Sequence, residues 1–388
     1  FGDISTTLLL IMVAGPVAGI ALKLGPSEMG ALVIFALTII AALESASLCK
    51  GILAAALGML LSSVGLDPVG GNPRLTLGIY QLEGGIRLIV LAIGTMAMAE
   101  LYIQSEKRPD AECGQAAVMV SFSDKPEDRD LSFREFISHW KTLLRSTGIG
   151  AGIGALPGIG AAVAGFLAYG TAKNASDDPD SYGNGNIDGV AAPESSNSAV
   201  VSASLIPLLT LGIPGSVAAA MLIGAFMLQG VTPGPLMYEN QPEMIYGIYG
   251  TLVAGNLLLL FIGYFTMKYM TKVLCIPTVI LMPCIMFVCM LGSYMETGTV
   301  FPVVSMGGLA IFGYFLKKLR FSFVCVIVGF ILGPLLELYV QQVVIGADGD
   351  YLSVVTRPGT AAILVFNVVF LVWISLRNRR RSRQKAGA

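Results

Sequence analysis

Residues 190–205 read VAAPESSNSAVVSASL. They place one carboxylate, one amide and several hydroxyls on a short stretch. At 100° per residue, Glu194, Ser195, Ser198 and Ser202 fall within an arc of about 100°, and Asn197 widens it to about 160°. Hard oxygen ligands of this kind suit a cation such as Na⁺ at Glu194, Asn197 and Ser198, or a proton on Glu194. The other reading is that the strip satisfies neighbouring helices. On either side of it lies a Pro-Gly interruption, LPGIG at 156–160 and LGIPGS at 211–216. A half-helix that begins at such a break exposes unpaired N–H groups and about half a positive charge. Glycines let an anion approach that backbone closely. The donors on offer are Pro157, Gly158, Ile159 and Gly160 at the first break, and Gly212, Ile213, Pro214, Gly215 and Ser216 at the second, with Ser195 nearby. Two such ends facing one another suit a carboxylate ligand.

The solvent of these breaks makes them informative. The chain has 388 residues, 55% hydrophobic and only 13% charged, with mean hydropathy +0.76. A soluble protein would carry about 25% charged residues, so lipid is the natural solvent. Net charge is −1, which gives no basic field for nucleic acid. The expected fold class is all-α, a polytopic helical membrane protein with discontinuous helices. Broken backbone at membrane depth is tolerated only where protein or a water-filled cavity covers it. Pro beside Gly is more than close packing requires, whereas Gly150, Gly154 and Gly158 also follow a small-xxx-small packing pattern.

The elements that must position these groups follow from apolar runs of about 17–25 residues. Spans are expected at 4–22, 27–42, 51–65, 86–103, 244–267, 276–294, 299–316, 321–344 and 360–376. The chain then divides into N-terminal helices (1–103), a polar insert with an amphipathic surface helix (104–146), a broken-helix region (147–229), C-terminal helices (230–376) and a basic tail (377–388). Lys and Arg in short loops put the tail, Lys317, Lys318, Arg320, Lys268, Lys272 and the insert on one side, the cytoplasmic one. An odd number of crossings must then lie between Arg145 and Gly230. One interrupted segment is therefore expected to enter and return on the same side. The chain begins at Phe1 without a signal-peptide pattern, and a start further upstream is expected.

Other chemistries fit less well. The single histidine, His139, falls in the surface helix, where a headgroup position is expected. The six cysteines form no CxxC pair. The loop 175–189 fails as an EF-hand, because Tyr182 and Gly189 stand where calcium ligands are needed. An intramembrane serine hydrolase would need a base beside Ser195, and only Lys173 offers itself. A passive channel or scaffold is the third reading.

The segments LPGIGAAVAGFLAYGTAK, GVAAPESSNSA and IPLLTLGIPGS through QGVTPGP, with KGILAAALGMLLSSVGLDPVGGNPRLTLG near the front, resemble the large membrane subunit of tripartite tricarboxylate transporters. The family usually reads PESANNA, where this chain has Pro193-Glu194-Ser195-Ser196-Asn197-Ser198-Ala199. The family's N-terminal half, with its own Pro-Gly break and an Asn-Ile-Pro-Gly motif, is not found, so part of the substrate site is expected to lie outside this sequence. The resemblance implies secondary import of organic di- or tricarboxylates coupled to Na⁺ or H⁺, with no other cofactor. It implies a bacterial inner-membrane location, a small membrane subunit and a periplasmic solute-binding protein as partners.

Overall fold

A computed structural model describes residues 1–43, 47–67, 72–106, 133–156, 160–273, 278–346 and 357–386. It is built of helices, with one two-residue hairpin, β1 (Gly65–Leu66) and β2 (Pro73–Arg74). The first three helices are α1 (Gly2–Ala21), α2 (Pro26–Leu43) and α3 (Leu48–Ser62), the last capped by Ser47, whose hydroxyl accepts from the Lys50 amide. Next comes α4 (Leu88–Glu106), continuous except for a π turn at Ile93–Met98. Two short helices, α5 (Phe133–Ser138) and α6 (Trp140–Gly154), lead into the broken region, which holds α7 (Gly160–Asn174), α8 (Asp188–Ala203), α9 (Leu205–Leu211) and α10 (Val217–Leu228). The rest is α11 (Leu236–Asn240), α12 (Pro242–Val273), α13 (Thr278–Met295), α14 (Phe301–Lys318), α15 (Phe323–Gly346) and α16 (Pro358–Ala386).

Every span expected from hydropathy lies largely within a helix; most ends fall within about three residues, whereas α12 runs on to Val273, past the expected 267, and α16 to Ala386, past the expected 376. Four, at Gly2–Ala21, Leu88–Glu106, Pro242–Thr266 and Phe323–Gly346, are long and apolar enough to cross a bilayer unaided. The chain is an all-α polytopic membrane protein. The amphipathic stretch at 131–146 is described from Phe133 on, as two helices that meet at His139, and α6 continues past residue 146. Leu143, Ser146 and Thr147 on α6 are buried, whereas Phe136, Ile137, Trp140 and Leu144 are exposed. Most of the polar insert, 107–132, and the Pro157-Gly158-Ile159 turn lie outside the described residues.

Helices meet through small residues, as expected where lipid supplies no hydrophobic drive for their association. α3 packs along α15, where a Cβ on Gly58 would strike the Val326 carbonyl and one on Gly329 would strike the Ala55 carbonyl. α14 meets the π turn of α4, where a Cβ on Gly313 would stand 2.7 Å from Thr95 Cα.

Polar contacts mark the two ends of the bundle. At one end Lys50 Nζ donates to the Leu319 carbonyl at 2.6 Å, Lys317 pairs with Glu100 at 2.5 Å and Lys318 with Glu106 at 2.8 Å. At the other, Arg74 pairs with Glu337 at 2.6 Å and Asp67 at 3.0 Å. The hydrogen bond that Arg74 donates to the Glu337 carboxylate raises its guanidinium above its ordinary pKa. α16 runs alongside α2, with Thr360 on Glu28 and Phe366 and Phe370 on Phe35, so its basic C-terminal turns emerge at the lysine end.

Gly329→Val should separate α3 from α15. We expect a loss of about 1–3 kcal/mol, the usual cost of overpacking. It would be read as a lowered melting temperature in detergent.

Candidate functional site

α6 descends into the bundle beside α8 in the same direction. Thr147 Oγ1 lies 2.9 Å from Ser195 Oγ, and Gly154 lies where a Cβ would stand 2.7 Å from Ala203 Cβ. α7 then comes back against α8 in the opposite sense: Gly165 faces Pro193, and Tyr169 reaches Gly189 near the start of α8. α6 and α7 thus form an antiparallel pair on α8, with the start of α6 and the end of α7 together at the head of α8. The Tyr169 and Tyr182 rings meet edge to face at 5.7 Å beside this root. Burial pushes the Tyr182 phenol above its ordinary pKa, and Asp188 adds to the rise. His139 Nδ1 is 2.8 Å from Asp188 Oδ1, joining the head of α6 to the head of α8. His139 is therefore a tie between helices rather than a free headgroup contact.

The second interruption follows from its residues. Gly212 closes α9 at φ +72°, a left-handed conformation that favours glycine, and its N–H bonds the Leu208 carbonyl at 2.9 Å. The Ile213 N–H bonds the Pro207 carbonyl at 3.2 Å. Pro214 and Gly215 carry the chain to Ser216, the N-cap of α10, whose hydroxyl accepts from the Ala219 amide at 3.1 Å. Gly212, Ile213, Pro214 and Gly215 are all buried. Gly215 is pressed between two other segments: a Cβ there would stand 3.0 Å from the Gly154 carbonyl oxygen and 3.0 Å from Ser204 Cα. Ser204 Oγ is 3.2 Å from Ser216 Oγ. The start of α10 therefore touches the end of α6 and the α8–α9 junction. Gly160, on the far side of the first break, opens α7 at φ +78° and is half-buried.

The polar residues of α8 divide. Ser195, Ser196 and Ser202 are buried between α8 and its neighbours. Ser195 Oγ bonds Thr147 and lies 3.4 Å from the Leu143 carbonyl, so its described partners include no general base. Ser196 Oγ is buried with no partner among the described residues. Glu194 and Asn197 are exposed and Ser198 is half-buried. The expected single strip is thus two surfaces, because α1, α6 and α7 all pack on α8 and take its hydroxyl side. Among the described residues no group of three or more His, Cys, Asp or Glu side chains is gathered.

Sequence reasoning missed the partners of these serines. Thr147 on α6, Thr7 and Asp3 on α1, and Asn256 on α12 all join them. One signal was readable: Asp3 and Thr7 stand one turn apart in the polar head, DISTT, of a helix that is apolar beyond it.

The comparisons agree with this architecture. The model of the tripartite tricarboxylate transporter TctA family matches residues 1–328. An uncharacterized 52.8 kDa protein in the TAR-I ttuC' 3'region of Agrobacterium vitis is 35% identical over 385 residues, 99% of this chain and 75% of that protein. An uncharacterized protein in the TAR-II ttuC' 3'region of the same organism is 38% identical over 236 residues, 61% of this chain and 98% of that one. No solved structure matches. With a family match over most of its length, the chain belongs to the tripartite tricarboxylate transporter TctA family.

Proposed function

We propose that this chain is the transport subunit of a binding-protein-dependent, cation-coupled importer of organic di- or tricarboxylates. The observation that carries the reading is the packing of Gly215, in the second interruption, against Gly154 at the end of α6 and Ser204 at the α8–α9 junction. Half-helix ends that meet inside a membrane protein are the usual construction of a transporter site. The substrate carboxylates are bound at Pro157, Gly158, Ile159 and Gly160 from one side and at Gly212, Pro214, Gly215 and Ser216 from the other, with Ser195 behind them. The coupling cation, Na⁺ or H⁺, binds along the exposed side of α8 at Glu194, Asn197 and Ser198 and offsets substrate charge.

The lysine end of the bundle, with the basic tail, is cytoplasmic in this reading, because Lys and Arg accumulate there. The membrane is the bacterial inner membrane. A periplasmic binding protein delivers substrate at the opposite end, beside Arg74, and a small membrane subunit completes the complex. No cofactor beyond the coupling ion is required.

Three variants test the site, each in the full-length subunit with its partners. Glu194 is exposed, so Glu194→Gln should insert normally yet abolish uptake in vesicles. Gly215→Ala adds a Cβ at 3.0 Å from the Gly154 carbonyl oxygen. It should lower uptake by roughly tenfold to a hundredfold, the range a small misplacement of binding groups produces. Normal uptake in both would overturn the assignment. Ser216→Ala removes the cap of α10 and should cost about 1 kcal/mol of stability in a thermal melt.

A further inference from the structure

At the end of the bundle away from the lysines, α4 and α14 both begin beside one cavity of about 190 Å³. Two short loops wall it. The loop 81–87 supplies the Gln81 amide and the Arg87 guanidinium. The loop from α13 to α14 supplies the hydroxyls of Thr297 and Thr299, with Ser305 one turn into α14. The buried Val90 and Pro302 line it from within. Both loops are held in place. The Leu66 N–H of β1 bonds the Glu83 carbonyl at 3.1 Å, and the Gly298 N–H bonds the Tyr294 carbonyl at 2.9 Å.

The polar side chains of the lining have donors to spare. Arg87, Gln81 and Ser305 make no side-chain hydrogen bond or ion pair among the described residues. Thr297 Oγ1 and Thr299 Oγ1 lie 2.8 Å apart. Two hydroxyls bring two protons, and their contact uses one. Glu83 and Glu296 belong to the same loops, yet no lining residue is an Asp or Glu. Arg74, at the same end, differs, because Asp67 and Glu337 take up its charge. A cavity with one positive charge, several neutral donors and no carboxylate of its own selects an anion that carries further acceptors. A guanidinium matches a carboxylate in shape as well as charge. Pockets for drug-sized ligands run to about 300–1,000 Å³, so this one takes a smaller molecule. Its apolar inner lining suits a short carbon backbone between polar ends better than an inorganic ion.

We infer that this cavity is an outer binding site for small carboxylates, separate from the one at the second break. One carboxylate pairs with Arg87, and acceptors at the other end of the molecule take protons from Ser305 and the Thr297–Thr299 pair. α10 links the two sites. It starts after Ser216, and eight residues beyond that serine a Cβ on Gly224 would stand 2.6 Å from Leu88 Cδ2, next to Arg87. That is roughly 12 Å along a helix. The role of the outer site, as first stop for substrate delivered at this face, rests on the carboxylate-import reading above. Its existence rests on the cavity alone.

Gly84 also lines the cavity, and a Cβ there meets nothing within 4 Å, so Gly84→Cys gives a reporter thiol that fits. The full-length subunit carrying it is placed in phosphatidylcholine nanodiscs. Alkylation by a charged maleimide is followed, with labelling of the parent protein subtracted. Succinate or citrate at a few millimolar should slow it. Arg87 is exposed, so Arg87→Gln should fold. It should raise the half-protecting concentration about tenfold or more, the loss of a charge-assisted hydrogen bond. Arg87→Lys should raise it less. Gly215→Ala should leave protection within about twofold, a small free-energy change. No protection by either acid, equal protection in Arg87→Gln, or protection lost in Gly215→Ala would overturn the site. Protection as strong by inorganic phosphate, or by added phosphatidylglycerol in place of the acids, would overturn the carboxylate assignment. Uptake of labelled citrate by the whole complex tests the role: Arg87→Gln should raise KM several-fold with kcat little changed. An unchanged KM would overturn the entry role. Failure of the wild type to take up citrate would strike the transport reading instead, and thiol protection then decides the cavity alone.

Discussion

Hydrocarbon offers no partner for a bare N–H or C=O, and this one constraint organises the molecule. Continuous helices satisfy it by themselves. The interruptions cannot, and the second, at 212–216, is closed by protein. At the second, Gly212 folds its own N–H back onto Leu208, and Ser216 receives the Ala219 amide. The glycines there leave space for backbone rather than for side chains, which is how Gly154 and Gly215 come to lie against one another. The same device, used between intact helices, sets the close approach of α3 to α15 and of α14 to α4. Small residues thus serve both the scaffold and the site.

Hydroxyls complete what small residues begin. Thr147 with Ser195, Thr7 with Ser202, and Ser204 with Ser216 stitch α8 to α6, to α1 and to α10. Each such pair exchanges a hydrogen bond that neither partner could find in lipid, so α8 is held by polar contacts on its inner side and leaves Glu194 and Asn197 outward. Helices at the periphery are held differently. α12 is almost wholly exposed over its apolar middle, and Asn256 is its polar link to α1.

Much of this was readable from residue types. Long apolar runs marked the spans, Lys317, Lys318 and the arginine tail marked one end, and Pro next to Gly marked the breaks. Loop charge even required a returning segment, though it could not say which one. The direction of α7 was not legible, because a single Lys173 in its last turn does not say against which neighbour, or in which sense, the helix packs. The division of the α8 polar strip was invisible for another reason. Its partners stand 48 residues away at Thr147 and 195 away at Thr7, and no local pattern announces a pairing over such distances.

The α6–α7 hairpin also has a mechanical meaning. Its two stems share one footing near His139, Asp188 and the Tyr169–Tyr182 pair, while the far end of α6, at Gly154, lies against Gly215. A beam clamped at one end moves most at the other. Displacement of the Gly154 end by a few ångströms would reshape the ground around Gly215 while the footing stays where it is.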